Sequence, residues 1–422
     1  DEPSIGLHAR DHARLLGALA KLRDAGNSVV VVEHDETTLR SADWLIDVGP
    51  AAGSHGGDIV ACGPPAEIAK AGIDTPTGRL LRGRIEIPAP ESRREGSGDF
   101  LEVRGARAFN LKDVDVKIPL GTLTAVTGVS GSGKSTLVER TLKRAVLRHL
   151  ERETPDPGDH DAVLGLEHID ELVAITAAPI GRTPRSNPAT YTKVFGPIRD
   201  LFATLPEAKM RGYTKSRFSF NVAGGRCEEC QGAGVKVMEL QFLSPVTVPC
   251  EECGGRRFQE EPLDVRYRGH SIADVLAMTA EEAAELFAGH PLIARPLNLM
   301  VDVGLGYLTL GQPSPTLSGG EAQRIKLVTH LARRPSGHTL FLLDEPTTGL
   351  HMEDVGRLVG ALQRLVDKGH SVLVIEHNLE LVQAADHLID LGPEGGEGGG
   401  RVLAFGTPEE VAETDCPTGE AL

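Results

Sequence analysis

Two kinds of hydrophobic spacing divide the chain. Continuous apolar runs at 123–126, 339–343 and 371–375 predict buried strands. Between them, 353–367 places apolar residues three and four apart, the pattern of a helix with one buried face. The same succession occurs near the beginning. Residues 1–68 align without a gap on 344–411, at a constant offset of 343: DEPSIGLH with DEPTTGLH, VVVVEH with VLVIEH, ADWLIDVGP with ADHLIDLGP. Each copy predicts a helix (11–25; 353–367), a strand (28–32; 371–375), a short helix and a further strand (44–48; 387–391). Helices alternating with β-branched runs imply a mostly parallel α/β sheet. Copies this far apart are whole domains and not solenoid units. The second copy follows the strand 339–343, whereas nothing precedes Asp1, so the chain is expected to be the C-terminal piece of a longer, two-ATPase protein.

GVSGSGKST, residues 128–136, has the form G-x-x-x-x-G-K-[ST] between the strand 123–126 and a helix expected over 137–150. Gly128, Ser130, Gly131 and Gly133 let successive N–H groups point into one concavity that suits phosphates. Lys134 should reach the outer phosphates, the Ser135 hydroxyl should ligate Mg²⁺, and Thr136 closes the motif. The strand 339–343 ends in Asp344 and Glu345, at the sheet edge where ligands of open α/β folds bind. Asp344 would hold Mg²⁺ or its water, and Glu345 could polarise the attacking water. His377 follows the strand 371–375 and could bond the γ-phosphate; His34 repeats it. Ser318, Gly319 and Gly320 open a helix expected to run to Arg334, offering N–H groups at a second phosphate-binding end.

Four of the six cysteines, Cys227, Cys230, Cys250 and Cys253, form two C-x-x-C pairs about 20 residues apart, the spacing of a closed structural zinc site. Cys62 and Cys416 are isolated and carry no assignment.

Charge first argues against nucleic acid and then for it. The 422 residues hold 44 Lys plus Arg and 60 Asp plus Glu, a net charge of −16. Residues 181–236, however, contain ten basic and four acidic residues, so this window is +6 and the rest −22. Six of the 16 aromatic residues lie in the same window. Interleaved cations and rings suit a nucleic-acid surface; the alternative is a solvated face over a small aromatic core. Arg182, Arg185, Lys193, Arg211, Lys215 and Arg217 are the candidate DNA contacts. No apolar run approaches the ~20 residues of a membrane span, and no leader-like segment stands at residue 1, so no membrane role and a cytoplasmic location are expected.

GVSGSGKST, IGRTPRSNPATYT, RFSFNVAGGRCEECQGAG, VDVGLGYLTLGQP, LSGGEAQR and LLDEPTTGLH together resemble the UvrA family, the damage sensors of the bacterial excinuclease ABC system, over essentially the whole chain. The resemblance implies two ABC-type ATPases in the full protein, with ATP held between one half's phosphate loop and the other half's LSGG helix. It further implies a homodimer binding damaged duplex DNA by its deformability, and ATP turnover controlling a UvrB-like partner. ATP, Mg²⁺ and Zn²⁺ are the implied cofactors.

One departure is Thr176-Ala177-Ala178, where members carry Asp-Gln-Ser, the Gln sensing the γ-phosphate and Mg²⁺. Another is the hairpin tip around 241–246. Both suit a divergent paralogue of the kind linked to antibiotic self-resistance. A transporter motor or a ribosome-associated ABC protein would explain the ATPase motifs but not the four-cysteine insert. The expected organisation is 1–88, C-terminal part of a first ABC ATPase; 89–98, linker; 99–176, nucleotide-binding core of the second; 177–270, basic insert with the zinc module; 271–334, helical signature arm; and 335–422, the remainder of the second ATPase.

Overall fold

The computed structural model describes residues 1–4, 6–50, 53, 56–70, 74–83, 87, 89–90, 92–240, 243–333 and 337–422. Gln241 and Phe242 at the hairpin tip, Glu91 in the expected linker, Pro88 at a domain boundary and Arg334 at the expected helix end lie outside them. The chain forms two compact units, Asp1–Thr176 with Arg334–Leu422, and Ala177–Arg333.

The strands are β1 (Leu45–Gly49), β2 (Asp58–Gly63), β3 (Phe100–Ala106), β4 (Val114–Pro119), β5 (Leu123–Gly128), β6 (Ala162–Leu164), β7 (Glu171–Ile175), β8 (Val235–Leu240), β9 (Leu243–Pro249), β10 (Thr339–Asp344), β11 (Ser371–Ile375), β12 (His387–Gly392) and β13 (Arg401–Gly406). The first unit is built on a six-stranded sheet ordered β13-β12-β5-β11-β10-β7. Every pair in it is parallel except β12–β13. Its central strands β5, β10 and β11 are predominantly apolar and buried on both faces, as parallel strands require. Leu342, Leu373, Val126 and Ile389 share one core with Leu137, Val138 and Val146. An antiparallel sheet, β4-β3-β6, contributes Leu101, Val103, Val116 and Ile118 to it.

The first repeat copy packs in the same unit but is not a second complete sheet. Its helix spans Ala9–Asp24, and β1 pairs only with β2. Residues 28–32, expected as a strand, are irregular and mostly exposed, unlike their counterpart β11. Strand β11 is bonded on both sides, by β5 and β10. Among the described residues 28–32 has no such ladder, and a strand's backbone groups need one. The segment after the phosphate loop also departs from expectation: Thr136–Leu142 is π-helical before Lys143–His149 becomes α-helical.

Residues 92–98 are tied down through arginine. Arg93 Nη1 donates to the Gln383 and Ala385 carbonyls at 2.8 Å each, and Arg94 Nη1 reaches the buried Asp386 carboxylate at 3.2 Å.

In the second unit, 271–300 is three short helices, Ile272–Ala277, Ala280–Leu286 and Pro291–Asp302, the first two each closed by a capping box. The insert's rings turn inward: Phe195, Phe202, Phe218 and Phe220 are buried and pack pairwise at 5.1 and 5.6 Å. They form the small aromatic core and not a stacking surface.

Candidate functional site

Because β5, β10, β11 and β12 run parallel, their carboxyl ends open on one edge. Register sets the level there: Val126 lies beside Ile375, and Ile375 beside Asp344. One or two residues on, these strands run into the phosphate loop at Gly128, into Glu345 and into Glu376-His377. Glycine is required at two points of that loop. A β-carbon on Gly128 (φ 125°) would stand 1.9 Å from the Leu391 carbonyl oxygen, and one on Gly133 (φ 113°) 2.8 Å from Leu111 Cδ2. The loop therefore presses backbone against backbone, with Ser130, Gly131 and Ser135 exposed at the mouth.

Lys134 is buried, and its Nζ donates to the Gly128 and Val129 carbonyls at 2.8 and 3.0 Å. Burial pushes its ammonium down to about 8, against the opposing pull of Glu345, Asp390 and Asp344. The carboxyls of Asp344 and Glu345 are raised, first by burial. His377 Nε2 stands 3.7 Å from Glu345 Oε1. Burial holds this imidazole neutral, at about 3. Lys134, Asp344, Glu345 and His377 thus converge on the loop, as their strand-end positions predicted.

Three supports were not legible in the motifs. Glu376 is buried and spends both carboxylate oxygens on backbone, Oε1 taking Thr347 N–H at 2.9 Å and Oε2 taking His377 N–H at 2.7 Å. It locks the turn after Glu345 to His377. Its repeat partner Glu33 does the same with Ser4 and His34, so the duplicated Glu-His pair was the available signal. The acidic, glycine-rich residues 394–400, which carry no recognisable motif, back the phosphate loop: Gly396 N–H meets the Gly131 carbonyl and Gly400 N–H the Ser132 carbonyl, both at 3.0 Å. Finally Phe109, at φ 55°, is 75 % exposed beside the loop that its neighbour Asn110 bonds at Gly131. The Arg140 guanidinium lies 4.7 Å from the Phe109 ring centre. A lone Phe in a polar stretch gave no periodic signal.

The four zinc-type cysteines come together. All are buried, with their sulfurs within 4.8 Å of one another. Cys230 Sγ and Cys253 Sγ are 3.7 Å apart. Tetrahedral zinc with ~2.3 Å bonds sets its sulfurs ~3.8 Å apart, so the donor set fits this ion. The Gly234 N–H points at Cys230 Sγ at 3.3 Å, and the Cys253 backbone N–H lowers the Cys250 thiol. Gly232 must be glycine: a β-carbon there would lie 1.7 Å from the Phe220 carbonyl oxygen. With four thiolates the site is closed, and Zn²⁺ here would clip residues 227–230 to residues 250–253 across the base of the hairpin β8–β9.

Similarity to known proteins decides the family. Over all 422 residues the chain is 59 % identical to UvrABC system protein A of Thermus thermophilus, covering 100 % of this chain and 44 % of that protein. The chain belongs to the UvrA family. It is also 58 % identical over 422 residues to UvrABC system protein A of Methanothermobacter thermautotrophicus, again 100 % of this chain and 44 % of the relative. The crystal structure of UvrA2 from Deinococcus radiodurans superposes with a TM-score of 0.90 at 50 % identity, over 98 % of this chain and 50 % of that one. The chain therefore spans about half the length of the UvrA relatives it matches. At 17 % identity and a TM-score of 0.50, the model of ribosome-bound archaeal Pelota and ABCE1 shares the ABC fold; the match covers 99 % of this chain and 54 % of that one. No family model matches the sequence.

In this UvrA sequence the signature serine sits in a closed cap. Ser318 Oγ accepts the Glu321 N–H at 3.2 Å, and Glu321 Oε2 takes the Ser318 N–H at 2.7 Å. Gly319 follows, exposed, and a β-carbon on it would touch Ala177 at 3.0 Å. The six DNA candidates divide into two groups. Arg211 pairs with Asp264 and Glu207, Lys215 with Asp200, and Arg217 with Glu261. Arg182, Arg185 and Lys193 form no ion pair among the described residues; Arg182 and Lys193 are exposed. No described helix is long and apolar enough to cross a membrane.

Proposed function

We propose that this chain is the half of a DNA-repair ABC ATPase that binds MgATP at 128–136 and contacts damaged duplex DNA through the second unit. One observation carries the reading: Lys134, Asp344, Glu345 and His377 meet at one phosphate loop in a chain of the UvrA family. The phosphates lie along the loop N–H groups, with Lys134 turning to the outer ones. Ser135 and Asp344 would hold Mg²⁺, which would neutralise charge on the phosphates. Glu345, its carboxyl raised by burial, takes the proton of the attacking water, and neutral His377 donates to the γ-phosphate. The nucleobase lies on the open face of Phe109, opposite an LSGG helix supplied by the other ATPase half.

Arg182, Arg185 and Lys193 meet phosphates first, having no ion-pair partners among the described residues, while Arg211, Lys215 and Arg217 exchange carboxylates for phosphate on binding. Zn²⁺ on Cys227, Cys230, Cys250 and Cys253 keeps this surface folded. A UvrB-like protein receives the DNA, and the full-length protein acts as a homodimer in the cytoplasm.

The discriminating experiment is salt-dependent binding of the full-length protein to damaged duplex, intact duplex and ribosomal RNA. Preference for damaged duplex that disappears when zinc is stripped supports the reading; equal affinity for the three overturns it. The 422-residue chain alone should bind ATP yet hydrolyse it only as it self-associates, and concentration-independent turnover would contradict that.

A further inference from the structure

The two repeat copies meet inside the first unit, and His8 of the first copy is buried in the ATP site of the second. Its Nδ1 accepts the Arg10 N–H at 3.3 Å and so caps the helix Ala9–Asp24. A neutral imidazole with Nδ1 accepting must carry its proton on Nε2. Burial keeps the ring neutral. The Nε2–H then donates to Thr418 Oγ1 at 3.3 Å, Thr418 Oγ1–H donates to Asp390 Oδ1 at 2.5 Å, and Asp390 Oδ1 also accepts Thr127 Oγ1–H at 2.9 Å. Thr127 is the last residue before the phosphate loop, whose Gly128 carbonyl takes Lys134. The His8 ring also stands edge-on to His377, 6.1 Å between centres.

The reverse path is built from the corresponding residues but is not closed. His351 caps the helix Met352–Asp367 through Nδ1, and Thr75 Oγ1 donates to Asp47 Oδ2 at 2.7 Å. His351 Nε2, however, is buried and bonds nothing among the described residues. Among the described residues the path from the first copy into the second copy's site is continuous and the reverse one is not.

We infer that His8 is a positioning residue for the ATP site at 128–136, acting through Thr418 and Asp390 on the strand that bears the phosphate loop. The inference rests on the reading that ATP is turned over there. His8 lies six residues after Glu2, in the turn that leaves the first copy's own acidic pair. Without the Nε2–H, the Thr418 hydroxyl would be held by Asp390 alone. Asp390, whose Oδ2 is buried and bonds nothing among the described residues, would then lose the orientation that holds Thr127.

The test uses full-length protein in which the first phosphate loop is inactivated, so that turnover reports 128–136 alone. His8→Asn keeps an N-cap acceptor but is too short for Thr418; Thr418→Val removes the hydroxyl from the other end; Thr418→Ser restores it. Each of the first two should lower kcat about tenfold with KM for ATP within twofold, the double variant should be no worse than either single, and Thr418→Ser should recover most of the rate. Native kcat in either single variant, additive losses, or failure of Thr418→Ser to recover would overturn the inference. Lys134→Ala, assayed alongside for ATP binding, tests the underlying reading separately: undiminished affinity there refutes the site itself, whatever His8 does.

Discussion

Gly6 and Glu345, 339 positions apart, are in contact: a β-carbon on Gly6 would lie 3.2 Å from the Glu345 Oε2. The relation is reciprocal, since a β-carbon on Gly349 would lie 3.4 Å from the Glu2 Oε2. Each copy thus lays the glycine of its DEP-x-x-GLH turn against the other copy's glutamate. Both glycines have positive φ, 69° and 67°, and both glutamates are left-handed at 43° and 40°. Left-handed glutamate is strained, and such strain persists only where surrounding structure holds it.

Gly6→Val should therefore act at Glu345. The new side chain meets the carboxylate and a left-handed backbone costs ~1 kcal/mol or more. ATP turnover in the full-length protein should fall at least tenfold while nucleotide binding stays within threefold. Turnover equal to the native protein would show that the contact is incidental.

Lys134→Ala and Glu345→Gln should separate binding from hydrolysis. Without Lys134 the loop loses its buried cation and nucleotide affinity should be undetectable by equilibrium titration. Glu345→Gln should keep ATP bound and lower turnover by about 10²–10⁴, the usual worth of a general base. Retained hydrolysis in Glu345→Gln would remove that residue from the water's activation.

Phe109→Ala should raise KM for ATP by roughly 2–10-fold with kcat unchanged, matching a stacking contribution of about 0.5–1.5 kcal/mol. Phe109→Trp should restore it. An unchanged KM would mean that the exposed ring meets something other than the base.

Metal analysis should find one zinc per chain. Cys253→Ser should abolish it and open the segment 227–257 to protease, while ATP affinity at 128–136 stays native. Full zinc content in that variant would refute the four-thiolate site.

Acid stability should report His377. Its folded-state value of about 3 lies below the ordinary 6.5, so the unfolded chain takes up the proton first and stability is lost as pH falls from 6.5. His377→Asn removes that loss. Its stability relative to the native chain should improve by up to about 1.4 kcal/mol per pH unit below 6.5, read from urea unfolding at pH 7, 6 and 5. A constant difference across that range would mean that the imidazole takes up its proton in the folded protein as readily as in the unfolded chain.

Local chemistry was legible where it depends on neighbours in sequence. The phosphate loop, the acidic strand end and the paired cysteines each need particular residues at short spacing, because adjacent backbone groups or thiols must face one ligand. The repeat, too, is a property of the string alone, and it brought His34 and His377 into correspondence. Segment 28–32 departs from its pattern for the opposite reason: its composition suits a strand, but a strand exists only with partners beside it.

The surface of the insert shows the same division. Charge composition located the cations, yet packing decided that Phe195, Phe202, Phe218 and Phe220 turn inward and that Arg211, Lys215 and Arg217 carry carboxylate partners. Ring burial follows from which faces meet in a compact unit, and periodicity over a short irregular stretch does not encode that.

By itself, then, the sequence located the phosphate-loop motif, the acidic strand end and the four clustered cysteines of this UvrA-family chain. Tertiary structure alone decided how the copies meet: Gly6 on Glu345, Gly349 on Glu2, and His8 reaching Thr418 while His351 Nε2 reaches no partner among the described residues. Those contacts join residues more than 300 positions apart, or leave one of them unbonded. They arise from how two similar surfaces pack, which neither copy's own pattern specifies.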